Sequence, residues 1–128
     1  MRITVQYSTM IVNDLTESVE FYRDVLGFEE QYHVDLPNDM GAITIMKSPD
    51  GACVELIESS HFETGLYSVG TDVDDLDATI AELKSKGCEP LGKLAPTTVG
   101  RQVFIQDPNG VRICLIEHSE EYKQKYMS

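Results

Sequence analysis

The chain has 128 residues, 41% of them hydrophobic and 25% charged, which suits one globular domain of ordinary composition. Its formal net charge of −12 argues against nucleic-acid and anionic-membrane partners, while leaving room for a cationic ligand. No apolar run reaches the roughly 18 residues of a membrane span, and no stretch reads as a secretion signal. The three cysteines, Cys53, Cys88 and Cys114, are odd in number and form no Cys-x-x-Cys pair, so reduced thiols in a cytoplasmic protein are expected.

In chain order, Ile3–Ile11 reads as a strand. Asp14 is placed to cap a helix whose apolar face is Leu15, Val19, Tyr22 and Leu26, with Gly27 at its end. Strand-like runs follow at Glu29–Val34, Ala42–Met46 and Ala52–Ile57, the last two joined by the tight-turn sequence Ser48-Pro49-Asp50-Gly51. Leu66–Val73 reads as another strand, and Asp74 or Asp75 can cap a helix with Leu76, Ile80 and Leu83 on one face, closed by Gly87. Glu89–Leu94, Val103–Gln106 and Val111–Glu117 complete the strands, with Asp107-Pro108-Asn109-Gly110 as the matching turn. In the polar tail, Tyr122 and Tyr126 are spaced i, i+4, as in a short helix that packs on a neighbour.

The order repeats within the chain. Val12-Asn13-Asp14-Leu15 matches Val73-Asp74-Asp75-Leu76 at an offset of 61, and Ser18-Val19 matches Thr79-Ile80 likewise. The two turns, and Val54-Glu55-Leu56-Ile57-Glu58 with Ile113-Cys114-Leu115-Ile116-Glu117, match at an offset of 59. The expected class is α+β: a single domain over 1–128 made of two βαβββ modules, about 1–60 and 61–118, with a C-terminal tail over 119–128. One module leaves an apolar sheet face exposed, so the mixed sheets are expected to close into a cleft or half-barrel.

Treating each four-residue turn as the whole hairpin loop sets a register and therefore the sheet faces. On that register Ile43, Ile45, Val54 and Leu56 lie under a helix, and Thr44, Met46, Cys53, Glu55 and Ile57 face the other way. In the second hairpin Phe104, Ile113 and Leu115 lie under the helix, opposite Val103, Ile105, Arg112, Cys114 and Ile116. Glu55 then meets a partner such as Arg112, or ligand and water, or else plain solvent on an open sheet. Arg112 reads equally as a rim ion-pair former or a ligand anchor, and Cys114 as a small buried hydrophobe. In the first strand Tyr7, Thr9 and Ile11 share a face.

The segment Val12-Asn13-Asp14-Leu15-Thr16-Glu17-Ser18-Val19-Glu20-Phe21-Tyr22-Arg23-Asp24-Val25-Leu26-Gly27-Phe28 resembles the first-helix signature of the vicinal-oxygen-chelate superfamily (glyoxalase, bleomycin resistance protein, dioxygenase). Asp107 to Glu117 resembles its last hairpin, and with the duplicated order the resemblance covers about Ile3 to Glu117. It implies the glyoxalase/bleomycin-resistance fold and commonly a homodimer, by edge pairing or by module exchange. It also implies four positions that hold a divalent metal in catalytic members, where the metal acts as a Lewis acid on two substrate oxygens. Those positions here are Tyr7, Glu55, Ser68 and Cys114. Only Glu55 keeps the expected residue type, so no catalytic metal is expected.

Two functional readings follow. The first is a metal-independent binding protein whose small organic ligand, with a basic one mildly favoured, meets Tyr7, Thr9, Thr44, Met46, Glu55, Ser68, Val103, Arg112 and Cys114. The second is an enzyme, either a metal-dependent lyase or isomerase of the glyoxalase I type or related dioxygenase, or a metal-free acid–base catalyst using Glu55.

Overall fold

A computed structural model describes residues 1–127. Strand β1 (Ile3–Val12) leads into helix α1 (Leu15–Glu20), which continues as a π-helical turn over Phe21–Val25. Strands β2 (Glu29–Asp35), β3 (Ala42–Lys47) and β4 (Cys53–Glu58) complete the first βαβββ order. Strand β5 (Gly65–Val73), helix α2 (Leu76–Ser85) and strands β6 (Leu91–Pro96), β7 (Gly100–Gln106) and β8 (Arg112–His118) repeat it, followed by helix α3 (Glu120–Tyr126). The fold is therefore α+β, with the expected duplicated topology. Strands run in the order β2-β3-β4-β1 in the first module and β5-β8-β7-β6 in the second. In each, the first and last strands pair in parallel and the others antiparallel, which makes both sheets mixed.

Two compact units are present: Tyr7–Tyr67, and Met1–Gln6 together with the chain from Ser68 onward. The first residues are fastened to the second unit by polar and apolar contacts. Arg2 donates to Asp74 and Asp72, the N-terminal amine to Glu82, and Ile3 packs on that unit's core.

Each module tethers the start of its helix twice. Asp14 accepts the Glu17 N–H at 3.1 Å, and Asp75, rather than Asp74, accepts the Ala78 N–H at 3.1 Å. These are N-caps, satisfying donors that the helix itself leaves open. The last strand supplies a second acceptor: Glu58 takes the Leu15 N–H at 2.9 Å, and Glu117 takes the Leu76 N–H at 2.9 Å. The repeated terminal glutamate of the strand motif is thus a helix tether. Its negative charge also suits the positive end of the helix.

The apolar cores lie between each helix and one sheet face. In the first module Leu15 and Val19 pack on Ala42, Met46 and Leu56. In the second, Leu76 and Leu83 pack on Val73, Val103, Ile105 and Leu115. Burial of each such side chain contributes about 1.5–3 kcal/mol. Leu26, expected on the buried face of the first helix, is 45% exposed. The π turn is the cause: Leu26 N–H bonds back to Phe21 O at 3.3 Å, five residues away, which rotates the helix end. Tyr22 keeps its inward place, and Phe28 packs beside it against the core.

The hairpin register differs by one residue from the sequence expectation. Gly51 N–H bonds to Ser48 O at 3.0 Å, but Ser48 N–H also bonds to Ala52 O at 2.7 Å, so Ser48 pairs with Ala52. Gly51, at φ 102°, is the extra residue of a bulge that follows the turn. The second hairpin does the same, with Asp107 paired to Val111 and Gly110 at φ 85°. Consequently Thr44 pairs with Leu56, Ile45 with Glu55, Val103 with Leu115, and Phe104 with Cys114. Because partners share a face, the first strand of each hairpin turns over relative to the expectation. Ile43 and Ile45 join Glu55, while Thr44 and Met46 go under α1. Phe104 joins Cys114, while Val103 and Ile105 go under α2.

Candidate functional site

The first-module sheet face turned away from α1 is laid out by strand register. One row across the strands is Thr9, Glu55, Ile45 and Tyr32, in the order β1, β4, β3, β2. Toward one end lies a row of Ile11, Ile57, Ile43 and Val34, all aliphatic. Toward the other lies Tyr7, Cys53, Lys47 and Glu29. A bulge between Glu30 and Tyr32 turns Gln31 and Tyr32 to the same side. Gln31 there accepts a hydrogen bond from the Cys53 thiol at 3.2 Å.

Glu55 stands in the middle of this face. Its Oε1 accepts from Thr9 Oγ1 at 2.7 Å, and Thr9 is itself buried. Thr9 is the side chain's one polar partner among the described residues. A carboxylate offers about four lone-pair sites, so most of its accepting capacity remains. Burial raises the carboxyl above its ordinary value, and the hydrogen bond from Thr9 offsets that only in part. The neighbouring Cys53 thiol is likewise pushed up by burial, with Lys47 pulling the other way, so it stays a thiol rather than a nucleophilic thiolate.

Of the expected ligand contacts in this module, Tyr7, Thr9 and Glu55 do share the face. Thr44 and Met46 do not: both are fully buried beneath α1, and Thr44 hydrogen-bonds His33 Nδ1 at 2.7 Å. The turn bulge takes them off this face. Ile43, Ile45, Gln31 and Tyr32 line it instead.

In the second module Ser68, Arg112 and Cys114 lie on the face turned away from α2, with Ser68 and Cys114 buried and Arg112 exposed. The Cys114 thiol donates to Gln102 Oε1 at 3.3 Å. Val103 lies off this face for the same reason as Met46, being 2% exposed within the core under α2. The tail helix packs onto its own module. Ser119 caps it, and Tyr122 stacks on His118, centroids 5.2 Å apart. His118 is buried and bonded through Nδ1 to Asp72 at 2.6 Å. Burial lowers its pKa, outweighing the attraction of Asp72.

The donor chemistry at the four family metal positions does not suit a hard divalent ion. The first module offers a phenol and one carboxylate, the second a hydroxyl and a thiol, with no imidazole. Among the described residues no group of three or more His, Cys, Asp or Glu could hold a metal. His33 lies on the α1 side and His118 against Asp72. Glu117, a tempting ligand by sequence, is committed to Leu76 N–H and to Arg101 at 3.0 Å. What the Glu55 face can do is hold a polar or charged group at a partly desolvated carboxylate beside aliphatic surface.

Comparison with known proteins agrees with this architecture. The chain is 29% identical over 126 residues to a probable lactoylglutathione lyase of Synechocystis, covering 88% of this chain and 95% of that one. It is 27% identical to the lactoylglutathione lyase of Haemophilus influenzae, covering 89% and 92%. Methylmalonyl-CoA epimerase from Mycobacterium tuberculosis shares the fold, with a TM-score of 0.80 at 22% identity over 94% of this chain and 91% of that one. The model of the Glyoxalase/Bleomycin resistance protein/Dioxygenase superfamily matches residues 4–115, and with the duplicated βαβββ topology described above, this chain belongs to that superfamily.

Proposed function

We propose that the protein binds a small organic molecule directly, without a catalytic metal, and that Glu55 is its polar anchor. The observation that carries this reading is the state of Glu55: a desolvated carboxylate with one neutral partner, Thr9. Such a group gains from any ligand that brings a donor or a positive charge. The chain's net charge of −12 further supports a basic ligand. Calorimetric titration of chelator-treated protein with a panel of small organic amines tests it. Binding is expected without added metal and is expected to weaken on Glu55→Gln. Equal affinity in that variant removes Glu55 from the account.

A second reading is favoured by the same raised carboxyl. A glutamate that holds its proton more tightly is a stronger general base once ionised, and proton transfer beside a carbonyl is chemistry it can serve. The names of the sequence relatives, lactoylglutathione lyases, support a lyase or isomerase of this kind. Metal analysis of protein purified without chelator or affinity-tag metal separates the readings. Near-stoichiometric metal that disappears with Glu55→Ala favours the metal-dependent enzyme and sinks the first reading. A homodimer is the proposed assembly, checked by light scattering. A cytoplasmic setting is proposed on the three free thiols of Cys53, Cys88 and Cys114.

A further inference from the structure

We infer that the ligand of the Glu55 face is an amphipathic organic cation, its nitrogen at Glu55 and its apolar body across Val34, Ile43 and Ile57. This rests on the reading of Glu55 as the anchor and adds the class and orientation of what it holds. The argument is one of placement. Register sets the aliphatic row two residues along the strands from the Glu55 row. Two residues of strand span about 6.5–7 Å, and three neighbouring strands span about 10 Å. Ile57, Ile43 and Val34 are each half-buried, so they keep apolar surface to cover, whereas Ile11 beyond them is already buried.

The polarity of the face sets the direction. On the far side of Glu55 the row holds Tyr7, whose ring is already buried, then Cys53, Lys47 and Glu29. Lys47 is exposed and repels a second cation, and hydrocarbon laid there would bury charge without compensation. On the near side no charged or hydrogen-bonding side chain interrupts the aliphatic row. A cation at Glu55 is also opposite in sign to its carboxylate, which has no cationic partner in the first module. An anionic head would meet that carboxylate with like charge. Tyr32, in the Glu55 row on the outer strand, adds an aromatic flank suited to a cation or a flat apolar group. The fitting molecule has one positive nitrogen and an apolar body of roughly 7–10 Å.

The test uses the full-length protein and primary n-alkylamines from propyl to octyl, with the n-alkanoic acids of matched length as controls, in chelator-containing buffer. Amine affinity is expected to rise roughly twofold to fourfold per methylene as half-buried to fully buried surface is covered. The acids are expected to bind at least about tenfold more weakly, since they place like charge at Glu55. Ile43→Thr and the near-isosteric Val34→Thr, each checked for an intact fold by circular dichroism and thermal melting, should flatten the chain-length slope. Glu55→Gln should weaken every amine by roughly tenfold to hundredfold and leave the slope intact. No amine binding, a flat slope in the wild type, an unchanged slope in both threonine variants, or acids binding as well as amines would each overturn the inference. A flat slope with binding still sensitive to Glu55→Gln would do so while leaving Glu55 as the anchor. Binding that ignores Glu55→Gln would remove the anchor itself, and the inference with it.

Discussion

Replacing Met46 by alanine tests the hairpin register, on which the composition of the Glu55 face depends. Met46 is 0% exposed and packs with Leu15, Val19 and Leu56 beneath α1. Truncating a methionine so placed costs about 2–5 kcal/mol, from lost transfer free energy and the cavity left behind. For a domain of this size each kcal/mol lowers the melting temperature by about 3–5 °C, so a drop of roughly 6–25 °C is expected. Ile43→Ala is the paired measurement. Ile43 is only half-buried, on the opposite face, so its truncation should cost about half as much. Urea unfolding of both variants, with slopes compared to confirm two-state behaviour, gives the two costs directly. If Ile43→Ala proves the more damaging, the strand is turned over, and Thr44 rather than Ile45 sits beside Glu55.

The remaining predictions concern the site carboxylate and the frame that holds it. Glu55→Gln should stabilise the protein by an amount that depends on pH. Well below the ordinary carboxyl value of 4.5 both folded and unfolded states hold the proton, and the variant gains little. As pH rises past 4.5 the unfolded state releases its proton first, because the folded value is raised, so wild-type stability falls until the folded group also ionises. Melting curves at several pH values should therefore show a widening gap that levels off, and a constant gap would contradict the desolvation of Glu55. Glu117→Ala removes the acceptor for Leu76 N–H and the partner of Arg101, and should cost about 1–2 kcal/mol in denaturant unfolding. A neutral result would mean that Asp75 alone suffices to hold the helix start. Gly41→Ala would bring a methyl group to 1.9 Å from Glu58 O. A loss of about 1–3 kcal/mol or more is expected by thermal melting, and wild-type stability would show that the strand ends yield freely.

Much of this architecture is legible in the sequence because it is written twice. Asp14 and Asp75, the two tight turns and the paired strand motifs each support the other, and the duplicated βαβββ order appears as anticipated. The faces were harder to read. Period-two alternation gives two faces but not which is which, and that choice rested on the turns. A proline at the second turn position and a glycine at the fourth were visible at Ser48–Gly51 and Asp107–Gly110, and that pattern fits a turn followed by a bulge. Reading those turns as four-residue loops misassigned Thr44, Met46 and Val103. Glu55 escaped the error because it lies on the second strand of its hairpin, where the facing assignment was unaffected. Gln31 and Tyr32 had no comparable signal, since a bulge within a strand leaves little trace in local composition. The π turn that exposes Leu26 was hidden for a related reason: the apolar spacing continues through it as if the helix were regular.

The attachment of Met1–Gln6 to the later compact unit has a consequence for the order of events during synthesis. Tyr7–Tyr67 is contiguous and can assemble once it has emerged from the ribosome. The six residues before it are made first but find their partners, Asp72, Asp74 and Glu82, only after those are translated. At about 5–20 residues per second, the stretch from Ser68 to Glu82 takes roughly one to three seconds to appear. For that interval Met1 and Arg2 lack the acceptors that hold them in the finished fold.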